Sequence, residues 1–566
     1  MAEKIPAEGD QPVFIAKSKA IALAQIFKKP TMAIVPDSND WNDYGRGYFA
    51  KLYLLEGNSK LLEAHIRIMF EGHERSEYAL KQLIEKFGQI FSINKVETPF
   101  VSLLPEEELY GKVIGLLGFN NGISALRKLH DAVVLRLEDE NHPLTNLTYS
   151  EEFAIGIMRY GGAFSAIRRG ARHFTPFSRP PVEDSAQKLS FVTKLPNSTN
   201  KIEVCLDFGK KLIFRDRIAV LVGQNGTGKT QFLKSLIDGL ISEYSDDTTE
   251  FAPHFLSPAN IHRTLVFSSV PTDPYPRSLG AWKGIDYDYF PLNSSRHDTS
   301  STLLEALVAL CFENDRVQFA GGMEIKRLAI FVEMLEKLDL DRLYIPLRQR
   351  SDDDDLPNVK VVNGDSYIWI NQDFNELNSL RAYQQIDWAK APIVLDDNLL
   401  PRDLSSGELA MLRFAAQSIA AIETGSLLLL DEPETHLHPK FISDLMEILY
   451  SLLIATKSIA IIATHSAYIV REVSRDNVRV LSSEDKITSF DSPRMQTFGA
   501  SIDTISQFAF GDTNERHHFQ RVLVDWARSV EPEIGLEGII EKFGEHLNSE
   551  SLSLIARSIE EKDKEL

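Results

Sequence analysis

The stretch Gly223–Thr230, reading GQNGTGKT, constrains this chain more than any other. It fits G-x-x-x-x-G-K-[ST]. The apolar run Ile218–Val222 before it reads as a buried strand, and Gln231–Ile241 after it reads as an amphipathic helix. A strand that feeds a glycine-rich turn into a helix places the chain in the α/β class. Gly223, Gly226 and Gly228 let the backbone curl, so that the amides of this turn, with Asn225, Thr227 and Gln231 along it, converge on an anion at the positive end of the helix. Lys229 is expected to reach the β- and γ-phosphates, and the Thr230 hydroxyl to complete a Mg²⁺ shell.

Two further stretches fit that reading. Ser426–Glu432, SLLLLDE, reads as a buried parallel strand ending in two carboxylates. At such an end Asp431 is expected to hold the metal, while Glu432, facing the other way on the strand, orients and deprotonates a water. Upstream, Leu404–Glu408, LSSGE, opens a helix over Leu409–Ala421. Ser405 and Glu408 have capping-box spacing, and Ser405, Ser406 and Gly407 with the free amides of the helix start form a second anion site. After a helix predicted over Pro439–Leu453, the strand Ser458–Thr464 delivers His465, expected to hydrogen-bond the γ-phosphate and the attacking water.

GQNGTGKT, LSSGE, LLLLDEPETHLHP and IATHS, in that order, resemble the Walker A, signature, Walker B and His-switch motifs of ABC-type ATPases. The resemblance spans residues 188–241 and 396–510. It implies ATP and Mg²⁺ as cofactors and a P-loop ABC-ATPase head, a mixed sheet with flanking helices. Lys229 and Thr230 then bind phosphate and Mg²⁺, Asp431 the metal, Glu432 is the base and His465 the switch. Ser405 and Gly407 act on the nucleotide of a second subunit, which implies a homodimer or higher oligomer. DEPETHLHP is similar to the soluble RecF, SMC and OLD branch, with His436 and His438 in the loop that crosses the dimer interface. Thr497–Asp512 with THSAYIVREV resembles the ATPase components of antiphage systems, the Septu type and those encoded with retrons. That resemblance implies an HNH nuclease partner, and in some systems a reverse transcriptase with its RNA–DNA product (msDNA). Two departures stand out. No Q-loop glutamine falls between Phe267 and Pro276, and beyond His465 there is no D-x-D pair of the kind an OLD-type nuclease needs.

The 566 residues exceed one compact core. Residues 1–185 form a separate α+β N-terminal domain with strand alternation over Leu52–Phe70 and helical periodicity over Glu77–Gln89 and Glu106–Arg136; 188–241 form ATPase lobe I; 242–395 an insertion and continuation; 396–510 lobe II; and 511–566 a C-terminal helical segment. Within 242–395, strands are expected at Arg263–Ser268, helices at Thr302–Phe312 and Met323–Leu338, and a solvated loop at Asp352–Asp355. Without sustained heptads, no long coiled-coil arm is expected. No apolar run reaches eighteen residues and no secretory signal opens the chain, so a cytoplasmic protein without membrane contact is expected. With 61 basic against 81 acidic residues, the net charge of −20 opposes a surface that binds nucleic acid everywhere. Any such contact is local, and Arg159–Arg179, with Arg168, Arg169 and Arg172, is its one candidate; a solvated helix face accounts for the same residues equally well.

Overall fold

The computed structural model describes residues 11–565, apart from 26, 38–45, 58, 139–141, 159–160, 175–186, 210–216, 243–251, 262, 271, 278–284, 293–299, 313–315, 319–323, 349–355, 373–375, 436, 510–517 and 548. The acidic run Asp352–Asp355, and Arg159, Arg179 and His436, lie outside the described residues.

The N-terminal part is built on a six-stranded sheet of β1 (Val13–Ala16), β2 (Phe27–Pro36), β3 (Phe49–Gly57), β4 (Ser59–Phe70), β5 (Ile90–Ser92) and β6 (Phe100–Leu103), in the order β5-β1-β2-β3-β4-β6. The helix Ser76–Phe87 and those between Glu107 and Arg169 cover it and share its core, from Ile15 and Ile34 to Val113, Leu126 and Phe153. The periodic stretch Glu106–Arg136 is three helices rather than one, Glu107–Leu117, Phe119–Lys128 and Ala132–Glu138. Gly118, at φ +78°, ends the first, and Asp131 accepts from the amides of Val133 and Val134 at the start of the third.

In the remainder, β7 (Lys188–Thr193) and β8 (Ile202–Asp207) join β10 (His254–Phe255) in a small antiparallel sheet; β8 alternates strictly between buried and exposed residues, as a strand covered on one face must. The central sheet holds β9 (Ile218–Val222), β11 (Arg263–Ser268), β12 (Tyr287–Pro291), and, after the insertion, β20 (Ser426–Asp431), β21 (Ile459–Ala463), β22 (Val478–Glu484) and β23 (Ile487–Asp491), in the order β12-β11-β20-β21-β9-β22-β23. Every pair is parallel except β22 with β23. The insertion supplies the hairpin β13 (Arg316–Gln318) and β14 (Glu324–Lys326), and an antiparallel sheet of β15 (Leu343–Leu347), β16 (Lys360–Val362), β17 (Asp365–Trp369), β18 (Ile393–Leu395) and β19 (Pro401–Arg402). Met323–Leu338 is therefore not one helix. Residues 324–326 pair with 316–318, and the helix begins only at Arg327, after an extended Lys326.

Central strands read as continuous apolar runs because both faces are covered. Alternate residues enter two different cores. Ile218, Val220, Leu428, Leu430, Ala460 and Ile462 face one, and Ala219, Leu221, Leu427, Leu429, Ile459 and Ile461 face the other. A one-residue slip would exchange the two sets, so the register is strongly specified. The C-terminal helices His518–Phe543, kinked at Gly535, and Ser549–Glu565 pack on each other around Ala527, Ile539, Ile555 and Ile559. The chain is thus a mixed α/β protein with a P-loop sheet and flanking helices. Among the described residues no helix is long and apolar enough to cross a membrane.

Candidate functional site

Strand register assembles the site. Leu221 pairs with Ala463, Ala463 with Asp431, and Asp431 with Ser268, so four parallel strands end at one level. The residues that follow, Gly223, His465, Glu432 and Ser269, therefore emerge along one edge of the sheet, where ligands of open parallel sheets sit.

The phosphate loop lies on that edge ahead of the helix Lys229–Ser242. Gly223 passes so close to β22 that a Cβ there would stand 2.3 Å from the Leu481 carbonyl oxygen, and Gly228, at φ +103°, takes a left-handed conformation that a side chain would strain. The loop residues Asn225, Gly226, Thr227, Gly228, Lys229, Thr230 and Gln231 line a cavity of about 280 Å³ together with Glu432 and His465. Leu195–Ser198, from the turn after β7, and Ser483 and Thr488, from the β22–β23 hairpin, close its other side. These flanking residues carry no motif and have no signature in the sequence.

Lys229 is almost fully buried. Its Nζ donates to the carbonyls of Gly223 (3.0 Å) and Gln224 (3.3 Å) and lies 2.6 Å from Nε2 of His465. That His465 nitrogen is 3.4 Å from the Glu432 carboxylate. Burial lowers the pKa of Lys229, against the pull of Glu432 and Asp431. His465 is lowered as well, by burial first and by the Lys229 charge second, which favours its neutral form with one nitrogen able to accept. Lysine, histidine and glutamate thus form one contiguous set on the cavity wall.

Glu432 reaches this set by a route the sequence reading did not anticipate. β20 ends at Asp431, and Glu432 has φ +48°, outside the strand conformation. Strand alternation therefore does not separate the two carboxylates; a left-handed residue just past the strand turns Glu432 away. Its amide donates to the Ala463 carbonyl at 2.8 Å, pinning the turn to β21.

Asp431 is completely buried. Tyr275 donates its hydroxyl to Oδ2 at 2.9 Å, while Oδ1 has no partner in hydrogen-bonding geometry among the described residues. Burial raises the Asp431 pKa to about 6, and the hydroxyls of Thr230 and Tyr275 act in the opposite direction. A buried carboxylate oxygen without a donor, beside a threonine hydroxyl, fits a hard divalent cation taking oxygen ligands. Asp431 and Thr230 would hold Mg²⁺ there, where it would screen the phosphate charge.

Two residues absent from the sequence reading complete the machinery. Tyr275 occupies the segment in which no glutamine was found, between β11 and β12. Glu434 accepts from Thr464 Oγ1 (2.6 Å) and the His465 amide (2.8 Å), so the loop after Glu432 fixes the backbone that presents His465. The only sequence signal for it is the second glutamate of DEPE.

Ser405–Glu408 stand elsewhere. Ser405 caps the helix Ser406–Ala421 in a complete capping box: its Oγ accepts from the Glu408 amide (3.2 Å), and Glu408 accepts from the Ser405 amide (2.8 Å) and from Arg402 (2.8 Å). Ser405 and Ser406 are exposed, Gly407 is buried, and none of the four lines the phosphate-loop cavity. His438 is the N-cap of Pro439–Ala455, its Nδ1 accepting from the Lys440 amide at 3.4 Å.

Residues 349–471 match the family described as AAA domain, putative AbiEii toxin, Type IV TA system, a span with the signature, both strand-end carboxylates and His465 but not the phosphate loop. The chain is 24% identical over 551 residues to Protein ea59 of Escherichia phage lambda, covering 93% of this chain and 95% of that protein. Among solved structures, an inward-facing putative metal-chelate type ABC transporter aligns at 13% identity over 54% of this chain and 83% of its own, with a TM-score of 0.25. The SmcHead bound to the C-winged helix domain of ScpA aligns at 10% identity over 54% and 97%, with a TM-score of 0.27. The sheet order, the phosphate loop on its edge and the AAA-family span agree on a P-loop ATPase fold.

Proposed function

We propose that this chain hydrolyses ATP with Mg²⁺ and closes head to tail with a second copy, each helix start at Ser405–Glu408 completing the other copy's phosphate-loop cavity. One observation carries the reading. A single strand-end register brings Lys229, Thr230, Glu432 and His465 to the wall of one cavity, with Asp431 buried at the end of the same row, while the helix start at Ser405–Glu408, with Ser405 and Ser406 exposed, takes no part in lining it. Lys229 and the loop amides bind and orient the phosphates. Glu432 accepts the proton of the attacking water, and His465, held by Glu434, orients that water and the terminal phosphate.

We further assign the cellular role to conflict between phage and host, with the ATPase governing a partner of HNH-nuclease type, in the retron setting alongside a reverse transcriptase and msDNA. The support is the C-terminal resemblance, the toxin–antitoxin description of the matching family and the phage origin of the lambda relative. Ile502–Ala509, from the defence-like stretch, packs on the short helix Ala467–Val470 that follows His465, so a partner seated there would sense the nucleotide site. The cytoplasm is the compartment in which such a nuclease would meet phage DNA.

Glu432→Gln is the test. A positioned base contributes about 10²–10⁴-fold, so hydrolysis should fall by that factor while ATP binding persists. With ATP trapped, the variant should elute as a dimer in size-exclusion chromatography, and Ser405→Arg should return it to a monomer. Unchanged turnover would refute the base, and a monomer at saturating ATP the closure.

A further inference from the structure

A second, larger cavity lies on the other side of β12, between the N-terminal part and the ATPase sheet. Its volume is about 640 Å³, in the range of small-molecule sites. Among the described residues six arginines line it: Arg136, Arg168, Arg169, Arg172, Arg263 and Arg277. Arg168, Arg169 and Arg172 belong to the arginine stretch of the sequence, while the other three come from distant segments.

Most of these guanidiniums are held by neighbouring acceptors, two of which, Asp286 and Asp288, also line the cleft. Arg172 pairs with Glu107 and Glu423; Arg263 with Asp286 (3.2 Å), Asp288 and Glu423 (3.4 Å); and Arg277 with Asp273 (3.1 Å). Arg169 donates to the Ala420 carbonyl at 3.2 Å. Clamping of this kind fixes the forks in place rather than leaving them to swing in solvent. Among the described residues Arg136 has no such carboxylate. It donates to Thr148 (3.0 and 2.6 Å) and lies 4.1 Å over the Tyr149 ring, and burial lowers its pKa, with Tyr149 and Tyr383 acting in the opposite direction.

Among the described residues, buried polar atoms on the wall lack hydrogen-bond partners. Nε of Arg263, a residue 7% exposed, has no acceptor, and Oε1 of Gln417, a residue with no exposure, has no donor, its amide nitrogen reaching only Thr302 at 3.4 Å. Turning the Gln417 amide over would orphan its nitrogen instead. Native proteins seldom leave such groups unsatisfied, so wall atoms in need of both a donor and an acceptor point to a polar ligand. Tyr287, Tyr289 and Trp388 add flat apolar surface.

We propose that this cleft binds a mononucleotide, its phosphate on the arginine forks, its base against the tyrosine and tryptophan rings, and its ring edge or sugar hydroxyls toward Gln417. The cleft is linked to the proposed ATP site through a chain of contacts. Arg277 in its wall lies 4.2 Å over the Tyr289 ring and pairs with Asp273, which accepts from Tyr289 Oη (2.6 Å) and from the amide of Tyr275 (3.2 Å). Tyr275 in turn holds Asp431. A phosphate that competes for Arg277 therefore acts on the segment that grips the metal carboxylate.

The test uses full-length Lys229→Ala protein, in which the phosphate loop no longer competes for the probe. AMP, GMP, CMP and UMP are titrated by calorimetry, with inorganic phosphate and a single-stranded oligonucleotide as separate arms. At least one mononucleotide should bind with Kd below about 1 mM. Arg168→Ala, on the exposed rim, and Arg277→Ala should each weaken it at least tenfold. Gln417→Leu should abolish the ligand-induced rise in melting temperature while leaving the ligand-free protein as stable or more so. No binding by any of the four, affinity no better than that of inorganic phosphate, binding only by the oligonucleotide, or affinity indifferent to all three substitutions would each overturn the proposal.

Discussion

Replacing Tyr275 by Phe removes one hydroxyl from a buried position and leaves the ring that fills it. That hydroxyl donates to Asp431 Oδ2 at 2.9 Å, a hydrogen bond to a group that must be charged to hold a cation. Such bonds contribute about 1.5–3 kcal/mol, which at ~1.4 kcal/mol per pKa unit is a rise of about one to two units. Asp431, already pushed up to about 6 by burial, would then be pushed up further. A smaller fraction of it would be ionised at pH 7, so the apparent affinity for Mg²⁺ should drop about two- to tenfold. It should recover above pH 9, where both proteins are ionised. Mn²⁺ binding followed by electron paramagnetic resonance from pH 5.5 to 9.5, with the Mg²⁺ dependence of turnover alongside, reads the effect directly. In the wild type, affinity should fall as pH drops through about 6, and in Tyr275→Phe the midpoint should move upward. A variant that binds the cation more tightly at pH 7 would show that the phenol competes with the metal instead of holding its ligand, and would refute the reasoning.

Glu434→Ala should leave the Thr464 hydroxyl and the His465 amide without their acceptor, so kcat should fall about 10–100-fold with little change in ATP affinity, since misplacement of a reacting group affects chemistry before binding; an affinity loss equal to the loss in turnover would assign Glu434 to binding. In the N-terminal part, Asp131 is buried, accepts from Tyr110 at 2.9 Å, and has its pKa raised to about 7 by burial. Between about pH 4 and 7 the folded protein therefore holds a proton that the unfolded chain has released, and stability should decline as pH rises through that window. Asp131→Asn keeps the acceptor for Val133 and Val134 and should flatten the decline, with a gain at pH 8 of at most about 4 kcal/mol; a wild-type melting temperature that rises from pH 4.5 to 7 in thermal denaturation would contradict this.

The central α/β sheet is legible in the sequence because its strands are short apolar runs that end in chemistry-bearing residues. Ile218–Val222, Ser426–Asp431 and Ile459–Ala463 differ by a residue or less from what composition alone suggests. Adjacent parallel strands then force the residues after them into one row. Local periodicity misleads where tertiary pairing outweighs it. Residues 324–326 continue a helical pattern but pair as a strand, and Glu106–Arg136 looks like one helix until Gly118 breaks it. The position of Glu432 follows from a single left-handed dihedral angle, which no residue pattern announces. Tyr275, Glu434 and the Leu195–Ser198 turn lie outside any motif spacing, because their roles depend on strands distant in sequence meeting at one edge.

The same distance explains how the two cavities relate. A strand has two ends and a sheet two faces, so a phosphate site at the carboxyl ends of β9, β20 and β21 leaves the edge strand β12 free to border something else. Arg263 opens β11 and Asp288 lies within β12, where their pairing faces the arginine cleft, whereas the segment leaving β11 carries Tyr275 onto Asp431. Two sites built from one strand pair share the rigidity of that pair. A change in one reaches the other through Asp273, Tyr275 and Arg277, without any rearrangement of the core. Coupling of this kind is a free energy common to both sites and is reciprocal. If cleft occupancy alters Mg²⁺ affinity by some factor, Mg²⁺ must alter cleft affinity by the same factor, and Tyr275→Phe, which cuts the link at its last bond, should bring both factors to one.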